Sequence, residues 1–459
     1  MKPLKPPSGI NLAQSKIQVN VSPPGPKSRS SLTRMRKVIG RSNYLGLYGI
    51  TLVGGEDVYV TDLDGNVYLD CLAGASCNLL GYSHHEIVDV YSQVAKTLQN
   101  ACFPYSLNQE AITLAETLID ITPGQSPKKV LFGLSGSDAC DGAIEAMRKY
   151  TQKFALIKFK NDYHGSTGFS QAASGFRTLN AGLFHSSKDF ITMDYPVTRH
   201  QREQVLHKIE KLLFHGQIGG ILAEPIQGDA GMHIPEAGFF PRLRELLDEY
   251  HGLLIIDEVQ SGMGRTGQWW AIQHEEIVPD LMVIAKGLSA GYAPISALVG
   301  RQEVIDALAP AQHLFTYTGH APSAAVASKV IQLIQNNHLI EQAAQVGQKI
   351  LDGLNQVKER FPEIITDVRG RGLMIGVEVN QSHHHLAGKL FATRCVEKGV
   401  YLGYFGVKQD VLRIEPPLIF GDEDAEILVN TIYEVAEEMS NHQIPQTTMD
   451  KVHQYAVGL

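Results

Sequence analysis

Five apolar runs of this sequence end in side chains that can do chemistry. Lys286 directly follows the apolar run 281–285, and Asp257 closes the run 253–257. A lysine amine that apolar neighbours partly withdraw from water becomes a nucleophile able to form a Schiff base. A carboxylate at a buried strand end costs several kcal/mol unless it is paired, so Asp257 is expected to face a cation.

The other three runs end in a phosphate cradle, a pair of aromatic rings and a second carboxylate. Gly136 and Ser137 would open a helix, where backbone N–H groups at the positive end of the helix dipole bind a phosphate. Tyr163 and His164 bring flat rings to the next strand end, and Glu224 brings a carboxylate to the third. Ligands of α/β sheets bind at the carboxyl ends of strands, so these ends predict one site. A lysine, a carboxylate, a phosphate cradle and an aromatic ring are together what pyridoxal phosphate requires.

The elements that must carry these residues follow an α/β pattern. From about residue 76 to 335, short apolar runs alternate with helical stretches, which is typical of buried parallel strands covered by helices. The runs predicted as parallel strands are 129–133, 154–159, 219–223, 253–257, 281–285 and 295–299. The pattern predicts a large domain built on a mostly parallel central sheet.

The two ends of the chain follow other patterns. Residues 1–30 are rich in proline and predict an extended arm, and residues 56–70 alternate around Asp64-Gly65 and predict a hairpin. The C-terminal part predicts a helix over 341–360, strands near 371–379, 399–404 and 411–415, and a helix from 422. Three segments are therefore expected: 1–75, an arm and hairpin contributing to a small domain; 76–335, a large cofactor-binding domain; and 336–459, a C-terminal small α+β domain.

Composition excludes several classes of protein. The chain has 459 residues, of which 44% are hydrophobic and 19% charged, as in a folded globular protein rather than a disordered one. No run of about 18 apolar residues occurs, so no membrane span is expected. The five cysteines lack CxxC and CxxH spacing. A disulfide scaffold and a zinc site are therefore not expected, and a reducing, cytoplasmic location is.

Two motifs match the signatures of other enzymes. Residues 262–267 read G-x-G-x-x-G, but no acid stands at the expected offset, so a loop is predicted rather than a dinucleotide site. The G-x-S-x-G at 287–291 matches a serine-hydrolase elbow with Ser289 as nucleophile. Pro294 would interrupt the helix that an elbow needs, so a hydrolase is only a remote alternative. The run His383-His384-His385 lies in a polar loop and predicts a solvated turn rather than a metal site.

The sequence around these residues resembles the class III (ω-type) aminotransferase family of fold-type I pyridoxal-phosphate enzymes, from about residue 40 to 440. The matching segments are SGSDACDGAIEAMRKY, DYHGSTGFS, AEPIQGDAG, LLIIDEVQSGMGRTG, AKGLSAGYAPISALVG, FTYTGHAPSAA and VLRIEPPLIF. The resemblance implies an α/β fold with a large and a small domain. It also implies an activity like that of 4-aminobutyrate and ornithine aminotransferases, in which an amino group passes from an amine or amino acid to a 2-oxo acid.

The resemblance also implies roles for individual residues. Lys286 would form the Schiff base and shuttle the proton, and Asp257 would hold the proton on the cofactor's pyridine nitrogen. Val259 would pack on the ring opposite Tyr163, and Gln260 would hydrogen-bond the phenolic oxygen. The remaining assignments are Gly136 and Ser137 on the phosphate, His164 and Glu224 beside the cofactor, Thr316 on the phosphate of the neighbouring subunit's site, Arg413 on a substrate carboxylate, and Tyr44 in the substrate pocket.

Asp229 departs from most transaminases of this family. Many of them have Glu at this position of the segment EPIQGD, and in the 4-aminobutyrate and ornithine branches that Glu pairs with the arginine equivalent to Arg413. The family's racemases and epimerases carry Asp here, and the runs GSDACDG and AQHLFT also resemble theirs. An amino-acid racemase or epimerase with Lys286 and Asp229 as its two bases therefore stays open as an alternative.

The expected partners are a small-molecule amino donor, a 2-oxo acid and a second copy of the chain. If Thr316 completes the site of a neighbouring subunit, the enzyme is a homodimer, with a tetramer left open. Residues 1–55 contain nine Lys or Arg and no acidic residue, and predict an arm that lies on an acidic surface. No aromatic-rich basic cluster follows, so neither nucleic acid nor a membrane is an expected partner.

Overall fold

The computed structural model describes residues 16–176, 189–382 and 384–455, so the first half of the predicted arm lies outside the described residues. The chain forms two compact units. The terminal unit consists of Met1–Ala75, Leu80–His84 and Gln342–Leu459, and the central unit consists of Ser76–Leu79 and His85–Glu341. The expected boundaries were 75/76 and 335/336; Leu80–His84 groups instead with the terminal unit, and the central unit continues to Glu341.

The central unit is built on a seven-stranded sheet. In spatial order its strands are Lys128–Gly133, Ser296–Arg301, Leu281–Ile284, Leu253–Asp257, Ile218–Ala223, Ala155–Phe159 and Phe190–Met193. All of them run in one direction except Ser296–Arg301, which is antiparallel to both of its neighbours. Ile218–Ala223 and Leu253–Asp257 are buried along their whole length, as strands covered on both faces should be. The predicted mostly parallel sheet is confirmed.

Two details of the predicted sheet are wrong. The run 295–299 was expected to be parallel, but Ser296–Arg301 is antiparallel because the connection from Leu281–Ile284 is too short for a crossover helix. The parallel edge strand Phe190–Met193 was missed because it is only four residues long and is not fully buried, so it produces no long apolar run.

The helices of the central unit pack through small and apolar side chains. Ala139, Ala143 and Met147 of the helix Gly136–Thr151 join one core cluster with Leu222 and Ile255 of the sheet. The described helices of this unit are His85–Thr97, Gln109–Ile121, Gly136–Thr151, Gly168–Ala173, Arg199–Phe214, Phe239–Glu249, Gln302–Ile305 and Ala321–Asn336, with 3₁₀ turns at Ala271–Glu275 and Lys286–Ser289. The helix that opens the predicted phosphate cradle is therefore anchored to the sheet along its length.

The terminal unit contains two four-stranded sheets. One consists of Leu52–Glu56, Tyr59–Asp62, Val67–Asp70 and Val400–Tyr401, and the other of Ile365–Arg371, Met374–Val379, Val411–Ile414 and Gly403–Phe405. Its helices are Pro26–Val38, Leu339–Arg360 (which begins in the central unit), Ala387–Glu397, Asp422–Ser440 and Gln446–Tyr455, with short helical segments at Arg41–Asn43 and Ala73–Ser76. Across the described parts of both units, no helix has the length and apolar composition needed to cross a membrane.

The N-terminal arm is not extended as far as predicted. Pro26–Val38 is a helix, whereas the arm was expected to be extended through residue 30. Proline is well suited to the first position of a helix, and the carboxylate of Asp64 caps this end by accepting two backbone N–H bonds of 2.8 and 2.9 Å. A Cβ on Gly25 would lie 2.2 Å from the Asp64 carboxyl carbon, so glycine is required for this close approach.

Candidate active site

The helix Gly136–Thr151 directs its N-terminus into a cavity of the central unit. The Ser135 hydroxyl caps the helix by accepting the Asp138 N–H at 3.3 Å, and the Asp138 carboxylate accepts the Ser135 N–H at 3.0 Å. Gly136 and Ser137 form the first turn, whose N–H groups have no intrahelical partners. This end of the helix can therefore bind an anion.

The loop after the strand Ala155–Phe159 approaches this helix end closely. Gly165 has a φ of +129°, and a Cβ on it would lie 2.4 Å from the hydroxyl oxygen of Ser137. That hydroxyl accepts the Ser166 N–H at 3.1 Å, and the Ser166 hydroxyl oxygen lies 3.0 Å from the Tyr163 hydroxyl oxygen. Glycine permits the close approach, and the loop sets Tyr163 at the border of the cavity.

Lys286 begins a 3₁₀ turn after the strand Leu281–Ile284. Its φ is +44°, a conformation that residues other than glycine rarely adopt and that is concentrated at functional sites. Its Nζ donates a hydrogen bond of 2.8 Å to Oε1 of Gln260. The turn at the strand end thus brings the amine to the side of the cavity where Gln260 lies.

Asp257 belongs to a buried chain of hydrogen-bonded groups. Its Oδ2 accepts the Nδ1–H of His164 at 2.8 Å, and its Oδ1 accepts the Val259 N–H at 3.0 Å. The Nε2–H of His164 donates to Oδ2 of Asp162 at 3.2 Å, and both of these side chains are fully buried. Burial alone would lower the pKa of His164, but hydrogen bonds with Asp162 and Asp257, together with their charges, raise that pKa to about 10. His164 is therefore an imidazolium between two carboxylates at neutral pH.

Two buried groups beside these hydrogen-bonded side chains have raised pKa values. Burial, reinforced by the charges of Asp162 and Asp257, raises the pKa of Glu224 well above its usual 4.5, and Glu224 Oε2 has no hydrogen-bond partner among the described residues. Burial and the charge of Asp257 also raise the pKa of Cys140, whose thiol donates to Asp257 Oδ2 at 3.6 Å. Cys140, His164 and Asp257 are the one set of described side chains compact enough to hold a metal ion. A protonated thiol is a hydrogen-bond donor rather than a metal ligand, so this set is a hydrogen-bonded cluster.

These groups share one cavity of about 440 Å³, a volume typical of small-molecule sites. The predicted site residues that line it are Gly136, Ser137, Tyr163, His164, Glu224, Asp257, Val259, Gln260 and Lys286. Thr316 and Asp229 belong to the same unit but not to this lining, and Tyr44 and Arg413 belong to the terminal unit. The structure therefore brings together most of the predicted residues, including every group assigned to the cofactor except Thr316.

The two predicted residues of the central unit outside the lining lie in turns. Thr316 is exposed, and its carbonyl accepts the side-chain N–H of Asn100 at 3.4 Å. Asp229 is half-buried, and its charge adds to the burial that raises the pKa of Glu224. Asp229 is therefore near enough to the cavity to act on it electrostatically.

Arg413 lies among aromatic and acidic groups of the terminal unit. Its guanidinium carbon is 3.5 Å from the centroid of the Phe405 ring, and its Nε is 3.7 Å from Oε2 of Glu415. The side chains of Arg413 and Glu415 are only 2% and 0% exposed. Stacking on a ring holds a planar guanidinium in one orientation, which suits it to recognising a carboxylate. Tyr44 is half-buried in the same unit, and burial raises its pKa.

The structure contradicts the serine-hydrolase alternative. Ser289 is buried, and its hydroxyl donates to the Ala293 carbonyl. The stretch from Ser289 to the strand Ser296–Arg301, all of it described, contains no helix of the kind that an elbow requires. Asp306, an acid placed to serve such a serine in chain order, is paired with Lys129 at 2.6 Å.

The other two motifs behave as loops where the structure describes them. Residues 262–267 form turns, and a Cβ on Gly262 would lie 2.9 Å from the Trp270 ring, so this glycine serves packing. The rings of His384 and His385 stack with centroids 4.9 Å apart. His383 lies outside the described residues.

A family model for aminotransferase class-III matches residues 43–436. The chain belongs to the class-III aminotransferase family. It is 34% identical over 432 residues to an alanine/serine racemase from Pyrococcus horikoshii, covering 89% of this chain and 90% of that protein. It is 33% identical over 384 residues to a 4-aminobutyrate aminotransferase from Escherichia coli, covering 81% of this chain and 89% of that protein.

The fold of this class-III protein matches that of an ornithine aminotransferase from Toxoplasma gondii. The TM-score is 0.83 at 26% identity, over 90% of this chain and 96% of the other. The active site of that protein is partially occupied by PLP. The predicted family and fold class are therefore both confirmed.

Sequence reasoning missed three polar residues of this class-III site. Asp162 accepts from His164, Cys140 donates to Asp257, and Gln227 donates its side-chain N–H to Asp162. The spacing Asp-x-His directly after a strand was an available signal for Asp162. Cys140 and Gln227 gave no such signal, because their partners come from other strand ends and meet them only in the folded chain.

Proposed function

We propose that this chain is a pyridoxal-phosphate-dependent aminotransferase that moves an amino group from an amine or amino acid to a 2-oxo acid. The observation that carries the proposal is one cavity lined by Lys286, Asp257 and the N-terminus of the helix Gly136–Thr151. They supply an amine that can hold an aldehyde, an acid that can hold a ring-nitrogen proton, and a cradle for a phosphate.

The charges and donors of the cavity fit this cofactor. In this group of side chains the His164 imidazolium lies between Asp162 and Asp257, and Lys158 lies near Asp162. Asp257 borders the cavity, where a protonated pyridine nitrogen would give this buried carboxylate a further cationic partner. Glu224, with its pKa raised and its Oε2 without a partner among the described residues, offers a hydrogen bond to a ligand in the same cavity.

When bound, pyridoxal phosphate supplies an aldehyde that captures the substrate amine and a protonated ring that takes up electrons. Lys286 would hold the cofactor at rest and then move the α-proton of the substrate. Asp257 would keep the ring nitrogen protonated, and Tyr163 and Val259 would border the ring. Gln260, whose Oε1 accepts from Lys286 Nζ, would donate an amide N–H to the phenolic oxygen.

We assign substrate recognition to Arg413, with Tyr44 as pocket lining. The guanidinium would receive the carboxylate of glutamate or 2-oxoglutarate through two parallel N–H bonds. Asp229 would act through Arg413 or through the shape of the pocket. Because Asp is one methylene shorter than Glu, its pairing with Arg413 would be weaker than in relatives that carry Glu.

We also propose that the enzyme is a cytoplasmic homodimer in which Thr316 reaches the partner's phosphate site. Asn100 ties the Thr316 segment to a neighbouring segment in which Tyr105 and Leu107 are 86% and 74% exposed. Exposed apolar groups of this size mark interaction surfaces, and the five free cysteines fit a reducing compartment. Light scattering should give twice the chain mass of 50.4 kDa. A monomer would contradict the dimer.

The transfer reaction is tested by incubating the holoenzyme with 2-oxoglutarate or pyruvate and a panel of donors that includes 4-aminobutyrate and ornithine. We expect glutamate or alanine to form only when a donor and a 2-oxo acid are both present. Lys286→Ala serves as the negative control. Absence of amino transfer with every donor would refute the proposal.

Racemisation of an amino acid is the second candidate function, and Asp229 favours it. The racemase and the aminotransferase relatives are almost equally similar to this chain, at 34% and 33% identity. In a racemase, Asp229 would serve as the acid or base on the face opposite Lys286. Chiral chromatography of the same incubations distinguishes the two: exchange of enantiomers without any 2-oxo acid supports racemisation.

A further inference from the structure

Asp162 is a fully buried carboxylate that no step of the proposed function uses. Its Oδ2 accepts the Nε2–H of His164 at 3.2 Å and the Phe159 N–H at 3.3 Å, and its Oδ1 accepts a side-chain N–H of Gln227. The same Gln227 nitrogen donates to the Lys160 carbonyl at 2.8 Å. Two local donors and one distant donor, Gln227, therefore fix the position of this carboxylate.

His164 connects Asp162 with Asp257. An imidazolium has two N–H donors, and here each of them meets one carboxylate oxygen, so the ring has a single satisfied orientation. A neutral ring has one donor and one acceptor, and would leave one of the two carboxylates without its donor. Asp162 thus keeps the Nε2 proton on the ring, so that His164 faces Asp257 as a cation rather than as a neutral donor.

Asp162 and Asp257 are the two carboxylates that contact the imidazolium. The other titratable groups beside it are Cys140 and Glu224, whose pKa values are raised, and Lys158, whose Nζ donates to two backbone carbonyls at 2.8 and 2.7 Å. Lys158 carries a positive charge near Asp162, so it cannot replace either carboxylate as a partner of His164.

Resting on the proposed function, we propose that Asp162 is a positioning residue for Asp257 that acts through His164. By accepting a hydrogen bond from the Nε2–H, it keeps both ring nitrogens protonated, and the Nδ1–H is directed at Asp257. That carboxylate stays ionised and oriented for a protonated ring nitrogen of the cofactor. Asp162 does not line the cavity, so its effect reaches the site only through the imidazole.

The role predicts a specific pH dependence. Removing one of two carboxylates from an imidazolium lowers its pKa by about 1–3 units, so without Asp162 we expect His164 to lose its proton nearer to neutrality. The sign follows from linkage: the folded pKa of about 10 exceeds the ordinary 6.5. The stabilisation of the folded protein by the His164 imidazolium and its two carboxylates is therefore complete below pH 6.5. It is lost as the pH rises through about 10.

The first test uses the apoprotein, labelled with ¹⁵N in histidine and titrated by NMR. We expect both nitrogens of His164 to stay protonated from about pH 6 to about pH 9 in the parent, and the midpoint to fall by about 1–3 units in Asp162→Asn. Asp162→Glu, which keeps the charge, should retain most of the parent midpoint. Asp141→Asn is the matched control, because Asp141 also accepts from neighbouring groups, the Ser170 N–H and the Thr167 hydroxyl, but has no contact with His164.

Two results would overturn the inference. One is a His164 that carries a single proton at neutral pH in the parent protein. That measurement does not depend on the folding of any variant. The other is an Asp162→Asn protein whose His164 titrates as in the parent.

The second test is the visible absorption of the holoenzyme followed against pH. We expect Asp162→Asn to show a break at the new His164 midpoint that the parent and Asp141→Asn lack, with kcat falling through the same break and KM steady. A normal cofactor band without this break overturns the positioning role. A protein that never binds the cofactor refutes the proposed function instead, while the apoprotein titration still decides the state of His164.

Discussion

Two of the buried cationic side chains, one in each unit, are held in opposite ways. In the central unit, the imidazolium of His164 donates to Asp257 at 2.8 Å and to Asp162 at 3.2 Å, so both of its N–H groups are used. In the terminal unit, the Nε of Arg413 lies 3.7 Å from the Glu415 carboxylate, beyond hydrogen-bond distance. The first arrangement fixes a carboxylate through a cation, and the second stacks a cation on the Phe405 ring beside a carboxylate.

From this difference we expect the cluster around His164 to affect the chemical step and Arg413 to affect substrate recognition. An imidazolium that has used both of its donors cannot bind a substrate, whereas a guanidinium has five N–H donors and can receive a substrate carboxylate in addition to an internal one. Substitutions in the central cluster should therefore change kcat, and substitutions around Arg413 should mainly change KM. The following substitutions test that division.

Lys286→Ala should have the largest effect and abolish turnover. Its loss removes both the nucleophile and the proton carrier, and general acid–base catalysis alone is worth about 10²–10⁴-fold. The measurement is kcat under saturating donor and 2-oxo acid. Lys389→Ala is the control, since Lys389 is a buried lysine of the terminal unit. Substantial turnover in Lys286→Ala would place the chemistry elsewhere.

Asp257→Asn should lower kcat by about a hundredfold or more, about 3 kcal/mol, because a neutral amide cannot hold a ring-nitrogen proton. Steady-state kinetics and thermal unfolding should be measured together. Asp280→Asn is the control, since Asp280 is a buried carboxylate of the same unit that pairs with Arg244 and Arg301. It should lower stability and leave kcat nearly unchanged. Equal losses of kcat in both variants would mean that Asp257 has only a structural role.

Arg413→Lys should raise KM for the 2-oxo acid by about 10–100-fold with a smaller change in kcat. A lysine loses the two parallel N–H bonds to a carboxylate, and a hydrogen bond to a charged group is worth about 1.5–3 kcal/mol. An amine donor that lacks a carboxylate is the internal control, because its KM should stay the same. A parallel rise in both KM values would show that Arg413 supports the pocket rather than recognising carboxylates.

Asp229→Asn tests whether Asp229 takes part in proton transfer or only in substrate recognition. In a transaminase it should change KM for one substrate a few-fold and leave kcat close to that of the parent. In a racemase it should stop enantiomer exchange, while Lys286 still exchanges the α-proton of one enantiomer with deuterium. Racemisation would be favoured if Asp229→Asn incorporates deuterium into only one enantiomer and the parent protein shows no amino transfer.

Glu415→Gln should have the smallest effect, a severalfold decrease in KM for the 2-oxo acid. Removing the internal carboxylate leaves Arg413 with less competing negative charge, and the similar shape of Gln preserves packing. The ratio of the variant's KM to the parent's KM should be the same at two ionic strengths, because the side chains of Arg413 and Glu415 are both buried. An unchanged or higher KM would show that Glu415 orients Arg413 rather than competing for it.

Much of the central unit could be predicted because the middle strands of its sheet are fully buried. Apolar runs such as 253–257 and 281–285 mark strands, and the residue after each run, such as Lys286, marks the carboxyl edge of the sheet. The direction of Ser296–Arg301 could not be predicted in the same way, because an apolar run carries no information about strand direction.

Sequence patterns could not predict which residues far apart in the chain would pair. The helix Pro26–Val38 depends on a cap from Asp64, and the protonation of His164 depends on Asp257, 93 residues away, as well as on the nearby Asp162. Glu415 stands two residues from Arg413 in the sequence, but nothing in the pattern indicated that both would be buried together.

Borohydride reduction of the holoenzyme, followed by peptide mass spectrometry, tests the central claim most directly. Reduction makes the bond between a lysine amine and a bound aldehyde permanent. The account predicts that a pyridoxyl group is found on Lys286 and that Lys286→Ala carries none. A pyridoxyl group on another lysine of the parent, or on none, would contradict the assignment of Lys286 as the residue that holds the cofactor.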